Sequence, residues 1–370
     1  MKIAITGQDG FIGYHLYNTI KYRCPTFKLI NFKKPYFQDQ NKIDKIISKV
    51  DVIIHLAGVN RDIIEESILK KNLFLTEELI KSISRTNFSG KLIFASSIQQ
   101  KDDNAYGVSK RKSAESFFNA SSKYGFTFIN LIIPNVFGPF CKPNYNSFIA
   151  TFCHNSLNKI QNIVKKNKDV PLIYIDNLVQ QIIQKINVDS SNEFKVIEDI
   201  NIKVTEVKNM IEDFNEVYIK NGNIPDLNNP FKINLFNTFH SYIEPKKFFP
   251  RKHSLIKDDR GTFSEILKSS SKGQVSFSIT NPGHTRGNHF HTRKIERFSV
   301  IEGEAEINIK KIGSNKRCSF NLSGKRPCYV DMQVWYTHNI KNIGDTNLIT
   351  LFWINEFYSE NDSDTFFEKV

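Results

Sequence analysis

The first 130 residues alternate short apolar segments with longer segments of helical periodicity. The apolar segments, which we predict to be β-strands, are Lys2–Thr6, Phe27–Phe32, Val52–Leu56, Leu92–Ala95 and Thr127–Ile133. Strands that alternate with helices form a parallel sheet that is covered on both faces. The pattern therefore predicts a doubly wound α/β domain.

Two later segments carry different patterns. Val204–Tyr218 places apolar side chains at intervals of three and four residues, which predicts an amphipathic helix. Between Tyr242 and His253 the chain contains Pro245, Pro250 and a cluster of lysine and arginine. This composition predicts an interdomain linker.

The C-terminal third consists of short β-rich segments separated by Gly and Asn, without a long helical pattern. These segments are Gln274–Ile279, Arg297–Ile301, Ala305–Ile309 and Leu348–Trp353. Short strands separated by turn residues in this way are typical of a small all-β barrel. We therefore predict an α/β domain over residues 1–243, a linker over 244–253 and a β-barrel domain over 254–370.

Composition narrows the class of protein. Of 370 residues, 40% are apolar and 24% are charged, and no apolar run approaches the ~18 residues that span a bilayer. The first strand begins at once, so we expect neither a signal peptide nor membrane insertion. Five scattered cysteines without a C-x-x-C motif favour a reduced, cytoplasmic protein.

The net charge of +13 suits an anionic partner. The lysines are dispersed along the chain and no nucleic-acid-binding module accompanies them. We therefore expect no nucleic acid and favour a small anionic substrate.

A glycine-rich turn follows the first strand directly. Gly7, Gly10 and Gly13 form the spacing G-x-x-G-x-x-G, with Phe11 and Ile12 opening the next helix. Glycines here allow a pyrophosphate to approach the backbone at the positive end of a helix. This arrangement between strand and helix predicts a Rossmann-like dinucleotide site.

The end of the second strand indicates which dinucleotide binds. NAD enzymes usually place a carboxylate there, whereas this chain has Lys33 and Lys34. A 2′-phosphate suits these cations, so we predict NADP(H), with Lys33 as the nearer contact. The alternative is a solvated lysine pair.

A tyrosine and a lysine four residues apart form a second motif. Tyr106 and Lys110 lie on one face of a predicted helix, where the ammonium would lower the pKa of the phenol. Tyr106 would act as general acid or base, with Ser97 hydrogen-bonding the same substrate oxygen.

Together with the glycine turn, these motifs resemble an extended short-chain dehydrogenase/reductase. The resemblance implies that Leu56, Ala57, Gly58 and Asn72 contribute to the cofactor site. Residues 134–139, PNVFGP, resemble the substrate-domain signature of that family, with Asn135 as a substrate contact. The family often carries an arginine two positions before this motif, where this chain has Ile132.

The C-terminal segment contains a group of histidines with metal-type spacing. Gly287, His289, His291 and Glu296 resemble the first motif of the cupins, and His338 a part of the second. Three imidazoles and a carboxylate suit Zn²⁺, and also Fe, Mn or Ni. The same segment resembles the metal-free deoxysugar epimerases of the RmlC type, in which the residue at His289 is a base. Metal ligand and general base are therefore competing roles for His289.

The order of the two domains is rare, and nearly all of the chain resembles the bifunctional UDP-sugar reductases of capsule and O-antigen biosynthesis, the CapF type. The stretches that carry this resemblance are residues 55–61, 141–147, 258–261, 336–340 and 353–356. It implies that the cupin epimerises C3 of a UDP-2-acetamido-2,6-dideoxy-4-hexulose. The reductase domain would then reduce C4 with NADPH, giving UDP-N-acetyl-6-deoxy-L-talosamine. It further implies a homodimer that carries zinc, with Lys142, Asn146 and Arg260 near the substrate.

Three alternatives remain at this point. The cupin could be a structural or dimerising module beside a working 4-ketoreductase. The reductase could serve another UDP-6-deoxy-aminosugar. The chain could also be a non-catalytic NADP(H) sensor, although the intact Tyr/Lys pair argues against this.

Overall fold

The structure, a computed structural model, describes residues 1–253, 256–258, 261–263, 273–356 and 359–370. The chain divides into two compact units. The first comprises Met1–Thr151 and Lys166–Val204, and the second comprises Phe152–Lys165 and Thr205–Val370.

The first unit is built on a six-stranded parallel sheet with a smaller three-stranded sheet. Its strands are β1 (Lys2–Thr6), β2 (Lys28–Ile30), β3 (Val52–His55), β4 (Lys91–Ser97), β5 (Thr127–Ile133), β6 (Asn135–Phe137), β7 (Asp169–Tyr174), β8 (Asn192–Lys195) and β9 (Ile200–Lys203). The large sheet has the order β2-β1-β3-β4-β5-β8, and the small one β6-β7-β9. The order reverses beside β1, which is where doubly wound sheets bind ligands.

Helices connect these strands and continue into the second unit. They are α1 (Phe11–Arg23), α2 (Gln40–Ile47), α3 (Glu65–Thr86), α4 (Ala105–Tyr124), α5 (Phe148–Leu157), α6 (Ile175–Lys185), α7 (Val204–Phe214), α8 (Pro230–His240) and α9 (Pro245–Phe248). Short 3₁₀ helices cover Lys34–Gln38, Ile98–Lys101 and Glu360–Asp362, and a π-helix covers Asn215–Lys220. Local signals set the ends of α4: the Asn104 side chain accepts from Gly107 N at 2.8 Å, and Gly125 ends the helix at φ +76°.

The central strands of the parallel sheet are buried on both faces, which explains their continuous apolar sequences. Ile3, Ile53, Leu92 and Ile129 are each no more than 1% exposed. On one face, Phe94, Phe117 and other side chains from the strands and helices form a single apolar cluster. This packing fixes the carboxyl ends of β1, β3 and β4 relative to one another.

The second unit contains two five-stranded antiparallel sheets. Its strands are β10 (Arg251–Lys252), β11 (Ile256–Asp258), β12 (Gly261–Phe263), β13 (Gln274–Thr280), β14 (Thr285–Phe290), β15 (Glu296–Glu302), β16 (Glu304–Lys311), β17 (Arg317–Ser323), β18 (Cys328–Met332), β19 (Tyr336–Asn342), β20 (Leu348–Ile354) and β21 (Phe366–Phe367). The sheets have the orders β10-β18-β15-β20-β13 and β17-β16-β19-β14-β21, while β11 pairs with β12. The fold class predicted from the sequence, a Rossmann-like α/β sheet followed by C-terminal antiparallel all-β sheets, is confirmed.

The compact units differ from the predicted domain boundaries. Residues 205–243 group with the β-sheets rather than with the parallel sheet, because Tyr218 hydrogen-bonds Asp331 of β18 in a buried contact. The predicted linker, 244–253, contains α9 and β10, and β10 pairs with β18. This segment is therefore part of the second unit.

No helix in the described part of the chain is both long and apolar enough to cross a membrane.

Candidate functional site

The glycine turn between β1 and α1 is tightly closed. Gly10 N donates to Gly7 O at 2.9 Å, and Gly7 has a φ of +73°. A Cβ on Gly13 would lie 2.1 Å from Gly7 O, and one on Gly7 would lie 2.8 Å from Ala57 N. Side chains are excluded from both positions, so a ligand can approach the backbone at the start of α1.

Buried polar contacts fix the neighbouring strand ends. Thr6 Oγ1 and His55 Nδ1 share a hydrogen bond of 2.7 Å, and Ala57 N donates to Thr6 Oγ1 at 3.2 Å. Burial, with the nearby Lys110 charge, lowers the pKa of His55 to about 3, so this imidazole is neutral at pH 7. His55 is a structural residue that joins β1 to β3.

The Ser97, Tyr106 and Lys110 side chains meet beyond the end of β4. The Lys110 ammonium lies 5.6 Å from the centre of the Tyr106 ring and donates to Ala95 O at 2.7 Å. Ser97 ends β4, where its hydroxyl accepts from Gln99 N at 3.2 Å and also hydrogen-bonds Tyr106. The structure therefore brings the three predicted catalytic residues together.

The direction of the Tyr106 pKa shift differs from the sequence prediction. Burial raises this pKa to about 12, and the hydrogen bond from Ser97 opposes that shift only in part. Burial also lowers the pKa of Lys110 to about 8. The ammonium does not compensate for the desolvation of the phenol, so Tyr106 carries its proton at neutral pH.

Asn72 lies next to this group, but its amide is occupied by other protein groups. Its Oδ1 accepts from Val59 N at 2.7 Å, and its Nδ2 donates to Val59 O at 2.8 Å and to Ser109 Oγ at 2.9 Å. Asn72 therefore joins the segment after β3 to α4. This arrangement positions the site around Lys110 without turning the Asn72 side chain toward the cavity.

A cavity of about 680 Å³ joins the glycine turn to the tyrosine site, a volume within the range of small-molecule sites. The predicted residues that line it are Gly7, Gly10, Phe11, Ile12, Gly13, Leu56, Gly58, Ser97, Tyr106, Lys110, Asn135, Lys142 and Asn146. Lys33, Ala57 and Asn72 are not among the lining residues. Lys33 is exposed beside Phe32, whose N–H donates to Gln8 of the glycine turn at 3.2 Å. Arg260 lies outside the described residues.

Several lining residues were not assigned a role from the sequence, among them Arg61, Gln99 and Tyr145. Arg61 and Tyr145 fall within the stretches that carry the CapF-type resemblance, 55–61 and 141–147, and this was the available signal. Neither stretch contains a spacing that indicates chemistry, so only the fold shows that they border the same cavity.

The second unit holds the predicted group of metal-type side chains. One ligand atom from each of His289, His291, Glu296 and His338 lies within 4.8 Å of the other three. Glu296 Oε2 is 2.9 Å from His338 Nε2 and 3.2 Å from His291 Nε2. The structure therefore brings together all four residues predicted as ligands.

The Nδ1 atoms of His291 and His338, which point away from Glu296, indicate how the two imidazole rings are oriented. His291 Nδ1 lies 2.7 Å from Asp364 O, and His338 Nδ1 lies 3.2 Å from Tyr336 O. Each Nδ1 can donate to its carbonyl, which leaves the Nε2 lone pairs directed at Glu296, as is typical of metal-binding histidines. In the described chain, these two Nε2 atoms and Glu296 Oε2 are buried without another hydrogen-bond partner. Acceptors that converge in this way fit a divalent cation.

His289 is partly exposed, whereas the other three members of the group are buried. Burial and the neighbouring His338 and His291 lower its pKa to about 4, so its ring is neutral at pH 7. A neutral imidazole can serve as a ligand or accept a proton, and both roles of His289 remain open.

A β-bulge places His289 in this group. The register of β14 against β19 shifts between Gly287 and His289, which brings His289 opposite His338. Gly287 has a φ of +98°, and a Cβ there would lie 2.7 Å from His338 O. The glycine is therefore needed for the bulge.

Two family models match successive parts of the chain. Residues 3–198 match the NAD dependent epimerase/dehydratase family, and residues 256–366 match the polysaccharide biosynthesis C-terminal domain. The structure of RMD from Pseudomonas aeruginosa, solved with NADPH, aligns with 58% of this chain and with 82% of the RMD chain. The sequence identity is 17% and the TM-score is 0.53. That likeness is one of fold.

Two comparisons extend over the whole chain. The UDP-2-acetamido-2,6-beta-L-arabino-hexul-4-ose reductase of Pseudomonas aeruginosa is 31% identical over 369 residues, 99% of this chain and 98% of that protein. The crystal structure of the capsular polysaccharide assembling protein CapF from Staphylococcus aureus covers 100% of both chains, at 31% identity and a TM-score of 0.63. The chain thus belongs to the NAD dependent epimerase/dehydratase family and, over its full length, to the CapF-type proteins within it.

Proposed function

We propose that this protein reduces the C4 ketone of a UDP-linked 2-acetamido-2,6-dideoxy-hexulose. The observation that carries the proposal is that Ser97, Tyr106 and Lys110 share one cavity with the glycine turn. The full-length similarity to a UDP-4-keto-sugar reductase supports this class of substrate.

The side chains account for the movement of the proton. Tyr106 carries its proton at neutral pH and donates it to the oxygen that becomes a hydroxyl. Ser97 hydrogen-bonds the same oxygen, and the Lys110 ammonium stabilises the phenolate left behind. The bound dinucleotide supplies the hydride. NADP(H) is favoured over NAD(H) because Lys33 and Lys34 stand where a carboxylate would select NAD.

We propose that the C-terminal unit epimerises C3 of the same sugar before the reduction. The C4 carbonyl acidifies the hydrogen on C3, and His289, the partly exposed member of the group, would remove it. His291, Glu296 and His338, with or without His289, would hold a divalent metal, which we propose to be zinc. When bound, the metal supplies Lewis-acid stabilisation of negative charge on the ketone oxygen.

The order of these steps follows from the chemistry. Epimerisation needs the ketone, and reduction consumes it, so C3 must invert first. The product would be UDP-N-acetyl-6-deoxy-L-talosamine, made for capsular polysaccharide in the cytoplasm. We propose as substrate contacts Asn135, Lys142, Asn146 and Arg260. We also propose that the reductase and cupin activities belong to residues 1–243 and 254–370, with 244–253 as the connecting segment, although residues 205–253 pack with the second compact unit.

We further propose that the protein is a homodimer formed by a second copy of this chain at β13, the outermost strand of its sheet among the described residues. Val275, Phe277 and Ile279 project from one face of this strand and are 53%, 68% and 49% exposed. An edge strand with an apolar face favours pairing with another chain. A second copy offers the same apolar edge in return, as a two-fold interface requires.

A structural role for the C-terminal unit is the competing hypothesis, since its metal could serve stability alone. Solvent exchange separates the two. The protein is incubated with the 4-keto sugar in deuterated water without NADPH, and deuterium at C3 is measured by NMR. The epimerase predicts incorporation at C3, whereas an unlabelled sugar recovered from active reductase would remove the epimerase step.

A further inference from the structure

The loop between β6 and α5, residues 138–147, contributes lining residues to the reductase cavity and is anchored by contacts on several sides. His15 Nε2 of α1 hydrogen-bonds Pro139 O at 2.9 Å, and the His15 ring stacks on Phe140 at 5.9 Å. Asn144 N donates to Thr151 Oγ1 at 3.0 Å. Phe140 and Asn144 adopt φ values of +69° and +54°, so this β6–α5 loop bends sharply twice. Such strain persists where contacts on several sides hold the backbone.

Arg61 holds the same loop from across the cavity. Its Nη1 donates to Tyr145 O at 2.5 Å and to Asn144 O at 3.3 Å. Among the described residues no carboxylate lies within ion-pair distance of this guanidinium, so its hydrogen bonds go to the loop backbone. A guanidinium that donates hydrogen bonds to two consecutive carbonyl groups fixes the orientation of the peptide unit between them.

The segment that presents Arg61 is itself fixed on both sides. Val59 is held by the Asn72 amide through hydrogen bonds of 2.7 and 2.8 Å. Asp62 pairs with Lys71 of α3 at 2.5 Å. Arg61 therefore lies in a segment before α3 that is tied to this helix through Asn72 and Lys71, and Asn72 also contacts α4.

The residue that these contacts orient is Tyr145. Its side chain lines the cavity together with Tyr106, and Lys142 Nζ lies 5.5 Å from the centre of the Tyr145 ring. The electrostatic effect of Tyr145 adds to that of burial in raising the pKa of Tyr106, which agrees with two neighbouring phenols. A phenol can donate and accept a hydrogen bond, as the hydroxyl groups of a sugar require.

We propose that Tyr145 hydrogen-bonds the sugar ring beside Tyr106, and that Arg61 is the positioning residue that holds Tyr145 there. The inference deepens the proposed reductase function and rests on it for the identity of the sugar. Tyr145 would determine affinity for the sugar rather than for the dinucleotide, because its phenol neighbours that of Tyr106.

The test uses the full-length variants Tyr145→Phe, Arg61→Ala, Arg61→Lys and the double variant Arg61→Ala/Tyr145→Phe. Arg85→Ala is the control, since Arg85 is bound to Asp44 on α2 and does not line the cavity. KM and kcat for the 4-keto sugar are measured together with the Kd of NADPH. Melting temperatures within about 2 °C of wild type establish that the variants fold.

Tyr145→Phe should raise KM for the sugar about tenfold, as expected for the loss of one hydrogen bond, and leave the Kd of NADPH within about twofold. Arg61→Ala should have a similar effect, which Arg61→Lys restores in part. The double variant should be no worse than either single variant, because Arg61 acts through Tyr145. An unchanged KM in Tyr145→Phe overturns the sugar contact, and additive effects overturn the positioning role of Arg61.

A binding measurement separates this inference from the proposed function. If wild-type protein oxidises no NADPH with the keto sugar, the proposed function fails, and calorimetric titration with UDP-GlcNAc and UDP then decides the inference. Tyr145→Phe should weaken the binding of UDP-GlcNAc and leave the affinity for UDP unchanged. Equal effects on both ligands, or no binding of either ligand to the wild type, overturn the inference.

Discussion

Tyr106 and Lys110 lie on one face of α4, and burial shifts their pKa values in opposite directions. The pKa of Tyr106 rises to about 12 and that of Lys110 falls to about 8. A neutral phenol beside an ammonium is suited to donating a proton to a ketone oxygen. The sequence predicted these residues and their proximity. It did not predict the direction of the tyrosine shift, because the degree of burial depends on the packing of α4 against β4.

Replacing Tyr106 with phenylalanine should lower turnover by about 10²–10⁴-fold, since the proton donor is lost while the ring remains. NADPH affinity should stay within about twofold, because the glycine turn is untouched. Stopped-flow measurement of NADPH oxidation, with fluorescence titration of the cofactor, checks both values. Tyr124→Phe, at the far end of the same helix, is the control. Wild-type turnover in Tyr106→Phe would contradict this mechanism.

The pH dependence of kcat/KM should report the Lys110 ammonium. Lys110 is charged below a pKa of about 8 and neutral above it, so kcat/KM should fall as pH rises through about 8. An unshifted lysine would place this decline near pH 10.5. The free energy of unfolding should instead rise between pH 8 and 10.5. In this range Lys110 has lost its proton in the folded protein, which relieves the cost of the buried charge, while the unfolded chain still binds the proton. A kcat/KM that remains constant to pH 10 would contradict the assignment.

Among the elements, strand β14 contains a β-bulge, a glycine with positive φ (Gly287) and one of the four candidate metal ligands, His289. The sequence predicted the ligand set His289, His291, Glu296 and His338 from their spacing and their resemblance to the cupin motifs. It did not reveal the register shift at Gly287, because a bulge depends on how β14 pairs with β19. Similarly, proline and lysine made 244–253 resemble a linker, although β10 pairs with β18 there. Short edge strands carry little periodicity, so their pairing is decided by the sheet.

Replacing Gly287 with alanine should cost about 1–3 kcal/mol of stability, because the residue must keep φ near +98° and its Cβ would contact His338 O. The affinity for Zn²⁺ should fall about 10–100-fold as His289 and His338 separate. Competition with a chromogenic chelator measures this affinity. Gly283→Ala is the matched control: Gly283 has a φ of +76°, but its Cβ would meet nothing within 4 Å. Equal zinc affinity in both variants would contradict the role of the bulge.

The whole molecule combines a dinucleotide cavity and a histidine cluster in one chain, each within its own compact unit. The sequence predicted the order and class of these units. The assignment of 205–243 to the second unit depends on buried contacts such as Tyr218 with Asp331, and residues 113 apart in sequence leave no local pattern. Lys33 remains a prediction, since its side chain is exposed and does not line the cavity.

The proposed dimer is tested by replacing Phe277 with aspartate on the exposed face of β13. A charge there should oppose burial against a second copy, so sedimentation equilibrium should show a shift from dimer to monomer. Ile343→Asp, at an apolar position that is 47% exposed in the same unit, should leave the mass unchanged. A wild-type protein that is monomeric at micromolar concentration, or a Phe277→Asp variant that remains dimeric, would contradict this interface.

The central claim, that one chain inverts C3 and then reduces C4 of the same sugar, is tested by one labelling measurement. The protein is supplied with the UDP-linked 4-keto sugar and NADPH in deuterated water, and the product is analysed by NMR. The account predicts deuterium and inverted configuration at C3, with a hydroxyl at C4 whose geminal hydrogen comes from NADPH. A reduced product with protium and the original configuration at C3 would contradict it.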